Sequence, residues 1–259
     1  VLGVGTATPV SVEEVFLSRA AEQGVVPTLL RATDVCDVAG EMQEGMVRHH
    51  ADLPCATFAI TKHPTRLGFP LELTVKTPRA THGDLAALKP RYQAANIALA
   101  LCLAEDFLDR PLDADKAFDA AIGCPTPGRF QLLRPDPLVL IDAAHNPQSV
   151  ATFLTAIRDV EPNPLYRPKL LTAVLADKDV FGIAELLAKE FPAVIVTQTD
   201  SARALPADEL AKIYRDLGAQ VEGVFPTVEK AVRALTHESY VACGTITLAG
   251  EVMSSLRGL

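Results

Sequence analysis

Three short stretches of the 259-residue sequence bring acids, bases and hydroxyls together at spacings that could do chemistry. The first, Asp142-Ala143-Ala144-His145-Asn146-Pro147, sets a carboxylate and an imidazole just ahead of a capping amide and a proline at the first helical position. Amides at the start of such a helix, and the positive end of its dipole, favour an anion; Asp142 can accept from a ribose hydroxyl or hold a cation. The same residues fit a plainer role, with Asn146 capping the helix and His145 bonding a loop carbonyl. The second stretch, Asp177-Lys178-Asp179, could hold a phosphate or a substrate carboxylate on a lysine kept charged by its neighbours. A solvated turn with an Asp cap is the alternative. The third, Cys243-Gly244-Thr245, offers a glycine and a hydroxyl ahead of the last helix, again as ligand or as cap.

All three must be positioned by an α/β framework. From Leu138 onward short apolar strands alternate with helices: strand Leu138 to Ile141, helix Pro147 to Val160, strand Leu170 to Leu175, helix Val180 to Glu190 and strand Ala193 to Thr197. Helix Pro206 to Leu217, a strand near Gln220 to Val224, helix Val228 to Leu235, strand Tyr240 to Cys243 and a final helix complete the series. That rhythm predicts a doubly wound, mostly parallel sheet covered on both faces. Ligands of such sheets bind outside the carboxyl ends of the strands, where the three stretches fall.

The first half reads differently. A strand end at Val1 to Val4 and a turn precede a helix from Ser11 to Gln23, with Ser11 as cap and Val12, Val15, Phe16 and Leu17 as its apolar face. A strand at Val25 to Arg31 follows, residues 32–54 suggest no element, and Cys55 to Lys62 with Leu67 to Thr77 form a hairpin around His63-Pro64-Thr65-Arg66. A long helix from Tyr92 to Leu108 and a short one from Asp113 or Asp115 to Ile122 lead into a Pro- and Gly-rich segment, residues 123–136. Two domains are therefore expected, 1–126 and 127–259.

Composition excludes several classes. A formal charge of −8 argues against a general phosphate-backbone binder, so no nucleic-acid partner is expected. No apolar run approaches the length of a membrane span. The five cysteines are scattered and never spaced as a metal or redox pair, which suits reduced thiols in the cytoplasm. His49 and His50 are adjacent and point apart, so no metal site is expected. No G-x-x-x-x-G-K-[ST] loop is present, and Gly3-Val4-Gly5-Thr6-Ala7-Thr8 lacks the third glycine of a dinucleotide fingerprint. The opening Val1-Leu2-Gly3-Val4, without an initiating Met, reads as the start of a fragment.

Taken in order, Tyr92-Gln93-Ala94-Ala95-Asn96, Pro127-Gly128-Arg129-Phe130-Gln131, Ile141-Asp142-Ala143-Ala144-His145-Asn146-Pro147, Asp177-Lys178-Asp179 and Gly244-Thr245 resemble folylpolyglutamate synthase/dihydrofolate synthase of the Mur ligase superfamily. The resemblance implies ATP-dependent addition of L-glutamate to dihydropteroate or folate through an acyl phosphate. It implies an ATPase domain, of which 1–126 would be the tail, and a Rossmann-like C-terminal domain, 127–259, that closes over it. The phosphate loop and the Mg2+ ligands would lie upstream of Val1, so this chain alone would bind ATP weakly and ligate nothing. By motif, Asn96 is similar to the asparagine on the adenine side, Arg129 to the arginine that reaches the phosphates, and Asp142 with His145 to a pair that contacts the nucleotide. Lys178 corresponds to residues near the incoming amino acid or transferred phosphate. The family's Gly-x-His-Gln is Pro90-Arg91-Tyr92-Gln93 here, and its Gly-Ser is Gly244-Thr245. A monomer acting on small molecules is implied. Other readings are a peptidoglycan-precursor or cyanophycin-type ligase of the same superfamily, or a non-catalytic α/β binding module. The ligase reading asks for Asp142 and His145 at the carboxyl rim of the sheet, outside the interior.

Overall fold

Alternation with a period of two writes the first sheet: Leu71, Leu73 and Val75 are fully buried while Glu72 and Thr74 between them are half-buried and Lys76 is exposed. In the computed structural model, which describes residues 10–32 and 52–258, this strand belongs to the first of two compact units. Of the described residues, those up to 64 and from 69 to 125 form unit one; 65–68 and those from 126 onward form unit two. The strand and turn expected over the first residues, Cys36, and His49 with His50 lie outside the described residues, as do the side chains of Ser11 and Val12.

Unit one runs α1 (Val10–Glu22), β1 (Leu29–Ala32), β2 (Cys55–Lys62), β3 (Leu71–Lys76), β4 (Thr81–Ala87), α2 (Ala94–Leu108) and α3 (Ala114–Gly123). The sheet order is β1-β2-β3-β4, with β1 parallel to β2 and the other pairs antiparallel. Ala94, Ala98, Leu101 and Cys102 of α2, and Ala117 and Ala121 of α3, belong to the same buried cluster as Leu71, Leu73 and Val75. Small alanines let the helices approach, and each large aliphatic side chain removed from water stabilises by about 1.5–3 kcal/mol.

The sequence pattern misjudges α1. Val15 and Phe16, assigned to the buried face, are 68% and 47% exposed, whereas Glu13 is buried and paired with Arg31 at 2.8 Å. A buried carboxylate persists only when it is paired, and β1 delivers the guanidinium from elsewhere in the chain. β1 also begins at Leu29, later than expected, and leaves Val25 and Val26 exposed. β4 was not anticipated. It carries His82, whose Nε2 lies 2.9 Å from Oε1 of buried Glu105 on α2. Glu105 also accepts from the Leu112 amide at 3.1 Å and from the Thr77 hydroxyl. Burial alone would raise the Glu105 pKa, but these donors outweigh it and hold the carboxyl below its ordinary value.

Unit two contains β5 (Gln131–Pro135), β6 (Leu138–Asp142), α4 (Pro147–Val160), β7 (Lys169–Thr172), α5 (Val180–Ala188), β8 (Val194–Thr197), α6 (Ala207–Asp216), β9 (Val221–Phe225), α7 (Val228–Ala234), β10 (Tyr240–Cys243) and α8 (Ile246–Arg257). Its sheet order is β5-β6-β10-β7-β8-β9, parallel except for β5, which pairs antiparallel with β6. This is the doubly wound, mostly parallel sheet expected. The crossovers from β6 to β7, β7 to β8 and β8 to β9 advance in one direction, and right-handedness puts α4, α5 and α6 on one face. The return from β9 to β10 puts α7 on the other, where α8 packs against it. Contacts agree: α4 packs on α5, α5 on α6 and α7 on α8. β5 was missed, and β7 ends at Thr172, with Leu175 making only an isolated bridge to Ala204. Among the described residues no helix is long and apolar enough to cross a membrane.

Candidate functional site

β10 sits between β6 and β7, and its register pairs Cys243 with both Asp142 and Thr172, so the three strands end level. From that edge β6 and β7 lead to helices on one face and β10 leads to α8 on the other. The chain parts there, and a parallel sheet opens its binding crevice where it parts.

The β6 end is bound to the turn that precedes β5. Asp142 is 3% exposed; Oδ2 accepts the Phe130 amide and Oδ1 the Ala144 amide, each at 2.8 Å. The residue is at the expected rim, but its side chain is buried, contrary to the expectation that it faces outward. The cause is local: amides on two neighbouring segments point inward there and need an acceptor. In the turn, Gly128 (φ 67°) and Phe130 (φ 47°) are left-handed, and the Gly128 amide donates to Gln131 Oε1 at 2.9 Å. The Ala143 amide donates to the Gly128 carbonyl at 2.7 Å. A Cβ on Gly128 would meet that of Ala143 at 3.4 Å, an ordinary contact, so it is the left-handed backbone that calls for glycine there. Phe130 is buried against Phe153 of α4, ring centroids 6.0 Å apart. Between Gly128 and Phe130, Arg129 is exposed.

His145 is half-buried, its Nδ1 3.0 Å from the Ala143 carbonyl. A carbonyl only accepts, so Nδ1 carries the hydrogen and Nε2 is the nitrogen left to a ligand. Asn146 caps α4 by accepting the Ser149 amide at 2.8 Å, while Ser149 Oγ receives the Asn146 amide at 3.2 Å and the His145 amide at 3.1 Å. Pro147 has no N–H and Ser149 spends its own on the cap, so the first turn of α4 offers an anion fewer donors than its sequence suggests.

At the β7 end, Asp179 caps α5 through the Gly182 amide at 2.9 Å. Asp177 Oδ2 receives Arg203 at 3.1 Å, with Lys178 Nζ at 3.6 Å. Lys178 therefore does not sit between two carboxylates as read from the sequence; one of them is turned to a helix amide. At the β10 end, a Cβ on Gly244 (φ 136°) would come within 2.4 Å of the Ala173 carbonyl, so only glycine fits, and Thr245 caps α8. Burial, and secondarily Asp142, pushes the Cys243 thiol well up, leaving it a neutral core group.

Asn96 lies in unit one, exposed in the first turn of α2, its Nδ2 donating to Gln93 Oε1 at 2.8 Å. Unit two thus gathers Arg129, Asp142 and His145 around one connected backbone, with Lys178 on a separate loop of the same rim. Sequence reading missed Ser149 and Arg203, and missed what Gln131 and Phe153 do. Ser149 had a signal, standing three residues after a cap; Arg203 had none, because a loop bridge brings it to Asp177. Among the described residues no group of three His, Cys, Asp or Glu side chains converges to hold a metal.

Residues 128–250 match the family model of the Mur ligase glutamate ligase domain. The chain is 37% identical over 128 residues to dihydrofolate synthase/folylpolyglutamate synthase of Mycobacterium tuberculosis (strain ATCC 25618 / H37Rv), covering 48% of this chain and 26% of that protein. It is 25% identical over 171 residues to folylpolyglutamate synthase of Lacticaseibacillus casei, 64% of this chain and 39% of that one. Among solved structures, M. tuberculosis folylpolyglutamate synthase complexed with ADP and AMPPCP superposes with a TM-score of 0.70 at 23% identity, over 95% of this chain and 52% of that one. E. coli FolC in complex with DHPP and ADP gives 0.66 at 20%, over 99% and 53%. The chain spans about half the length of these solved structures.

Proposed function

We propose, from the match of residues 128–250 to the Mur ligase glutamate ligase domain and the likeness of the chain to folylpolyglutamate synthases, that it is part of an ATP-dependent ligase adding L-glutamate to dihydropteroate or folate. The observation that carries this is Arg129, an exposed guanidinium on a turn bonded into the switch point of the sheet, with His145 on the adjoining segment. ATP would supply the phosphoryl group that activates the acceptor carboxylate as an acyl phosphate, and Mg2+, whose ligands are not among the described residues, would offset its charge. The amine of glutamate then attacks the carbonyl carbon, the C–N bond forms and phosphate leaves.

This chain's own residues do three things in that scheme. Arg129 presents a planar fork of donors suited to phosphate oxygens. His145 presents Nε2 from a ring whose other nitrogen is committed to Ala143. Lys178 and Arg203, both on Asp177, keep positive charge at the rim where an incoming amino acid or phosphate would be met. Asn96 would serve the adenine side. In this reading 1–126 is the C-terminal part of an ATPase domain and 127–259 the Rossmann-like C-terminal domain, and the protein works as a cytoplasmic monomer.

The test is ADP release in the intact ligase with glutamate and, in turn, dihydropteroate, folate and muramyl substrates. Arg129→Ala should lower kcat by about 100-fold, the cost of losing one charge-stabilising donor. Unchanged turnover refutes the assignment, and preference for a muramyl acceptor refutes the folate reading. The purified 259-residue chain alone should not ligate glutamate.

A further inference from the structure

A phenylalanine with positive φ is an unusual conformation that persists only when its surroundings impose it. Phe130 is such a residue, directly after Arg129, and the left-handed Gly128 stands directly before it. Four contacts impose the shape. Gln131 Oε1 takes the Gly128 amide at 2.9 Å, the Gly128 carbonyl takes the Ala143 amide at 2.7 Å, Asp142 Oδ2 takes the Phe130 amide at 2.8 Å, and the Phe130 ring is buried on Phe153. The Arg129 amide closes the turn onto the Thr126 carbonyl at 3.0 Å.

The same groups continue to the imidazole. Asp142 Oδ1 holds the Ala144 amide, one residue before His145, while Oδ2 holds the amide one residue after Arg129. Ala143 donates its N–H to Gly128 and accepts His145 Nδ1 on its carbonyl. One carboxylate and one alanine therefore tie the two segments that carry the exposed guanidinium and the imidazole.

We propose that Gln131 is a positioning residue for Arg129, working with the Asp142 bracket and the Phe130–Phe153 contact to hold the guanidinium's backbone in one register relative to His145. This rests on the reading of Arg129 as a phosphate contact. Gln131 acts by fixing Gly128, and through it the direction in which Arg129 leaves the chain. A long charged side chain mounted on a preset turn meets its target with less left to order than one on a mobile loop.

The experiment is a double-mutant cycle in the intact ligase, reading kcat for ADP release, with unfolding midpoints measured alongside. Gln131→Ala is expected to lower kcat roughly 10-fold, short of the ~100-fold that a misplacement of about 1 Å can cost. Gln131→Glu keeps an oxygen at the same reach and should restore most of the rate. Arg129→Ala/Gln131→Ala should be no slower than Arg129→Ala alone, because a residue that acts through the guanidinium has nothing to act on once it is gone. Additive losses in the double variant, or a Gln131→Ala enzyme as fast as its parent, overturn the positioning role and leave the function standing. An Arg129→Ala enzyme of undiminished rate overturns both.

Discussion

Replacing Asp142 separates a carboxylate that contacts a ligand from one that holds the protein together. Both of its oxygens accept backbone amides at 2.8 Å, and the side chain is buried. A hydrogen bond to a charged group contributes about 1.5–3 kcal/mol, so the pair amounts to about 3–6 kcal/mol. That is a large share of the ~5–15 kcal/mol typical of a folded domain. Asp142→Ala leaves two inward-facing amides without their acceptor and should lose most of that amount. Asp142→Asn keeps a carbonyl oxygen for one amide but turns an NH2 toward the other, and should lose about half, roughly 2–3 kcal/mol. The assay is urea unfolding followed by far-ultraviolet circular dichroism, the sequence having no Trp to report by fluorescence. The midpoint of the unit-two transition should fall with little change in m. If Asp142→Ala unfolds within about 0.5 kcal/mol of the parent, the size of an ordinary surface substitution, the carboxylate is not the bracket described.

Acid should loosen unit one through Glu105. Its folded pKa lies below the ordinary carboxylate value, so its stabilisation is present above about pH 4.3 and is lost as pH falls through the lower, folded value. Thermal melts from pH 7 down to pH 3 should show Glu105→Gln less stable at neutrality and less sensitive to acid; identical curves would refute the network. The thiols should divide by environment. Burial, with Glu105 and Asp106 nearby, pushes Cys102 up to about 11, and Cys243 is raised by burial and Asp142. In a Cys36→Ser background at pH 8, an aromatic disulfide reagent should label Cys55 and Cys124 in the native chain, and Cys102 and Cys243 only after unfolding. Rapid native labelling of Cys243 would contradict its placement in the core.

Much of unit two was legible because its signals are local. Asn146 before Pro147 marks the start of α4, and the helix ends at Val160 as read; Tyr240 to Cys243 is a strand of four apolar residues in the sequence and in the fold. The elements that escaped lack such signals. β4 contains Gly83 and Asp84, the latter with φ 53°, and its register slips against β3. β5 begins inside the Pro- and Gly-rich segment and ends on Pro135, so punctuation hid a strand. The α1 face was misread because the partner of Glu13 comes from β1. At the candidate site, residue types and the correct rim were readable, but the direction of Asp142 was not. Sequence shows that a carboxylate is present; it does not show that two amides from separate segments converge on it.

The strand that lies between β6 and β7, β10, comes after β6, β7, β8 and β9 in the sequence. Until Tyr240–Cys243 leaves the ribosome, its two flanking neighbours lack the partner that joins them, so the rim bearing Arg129 and His145 is unfinished up to that point of translation. Nascent chains halted before that strand should present the facing edges of those neighbours to chaperones, and cleavage just upstream of it would take away the middle of the sheet and leave its flanks unjoined.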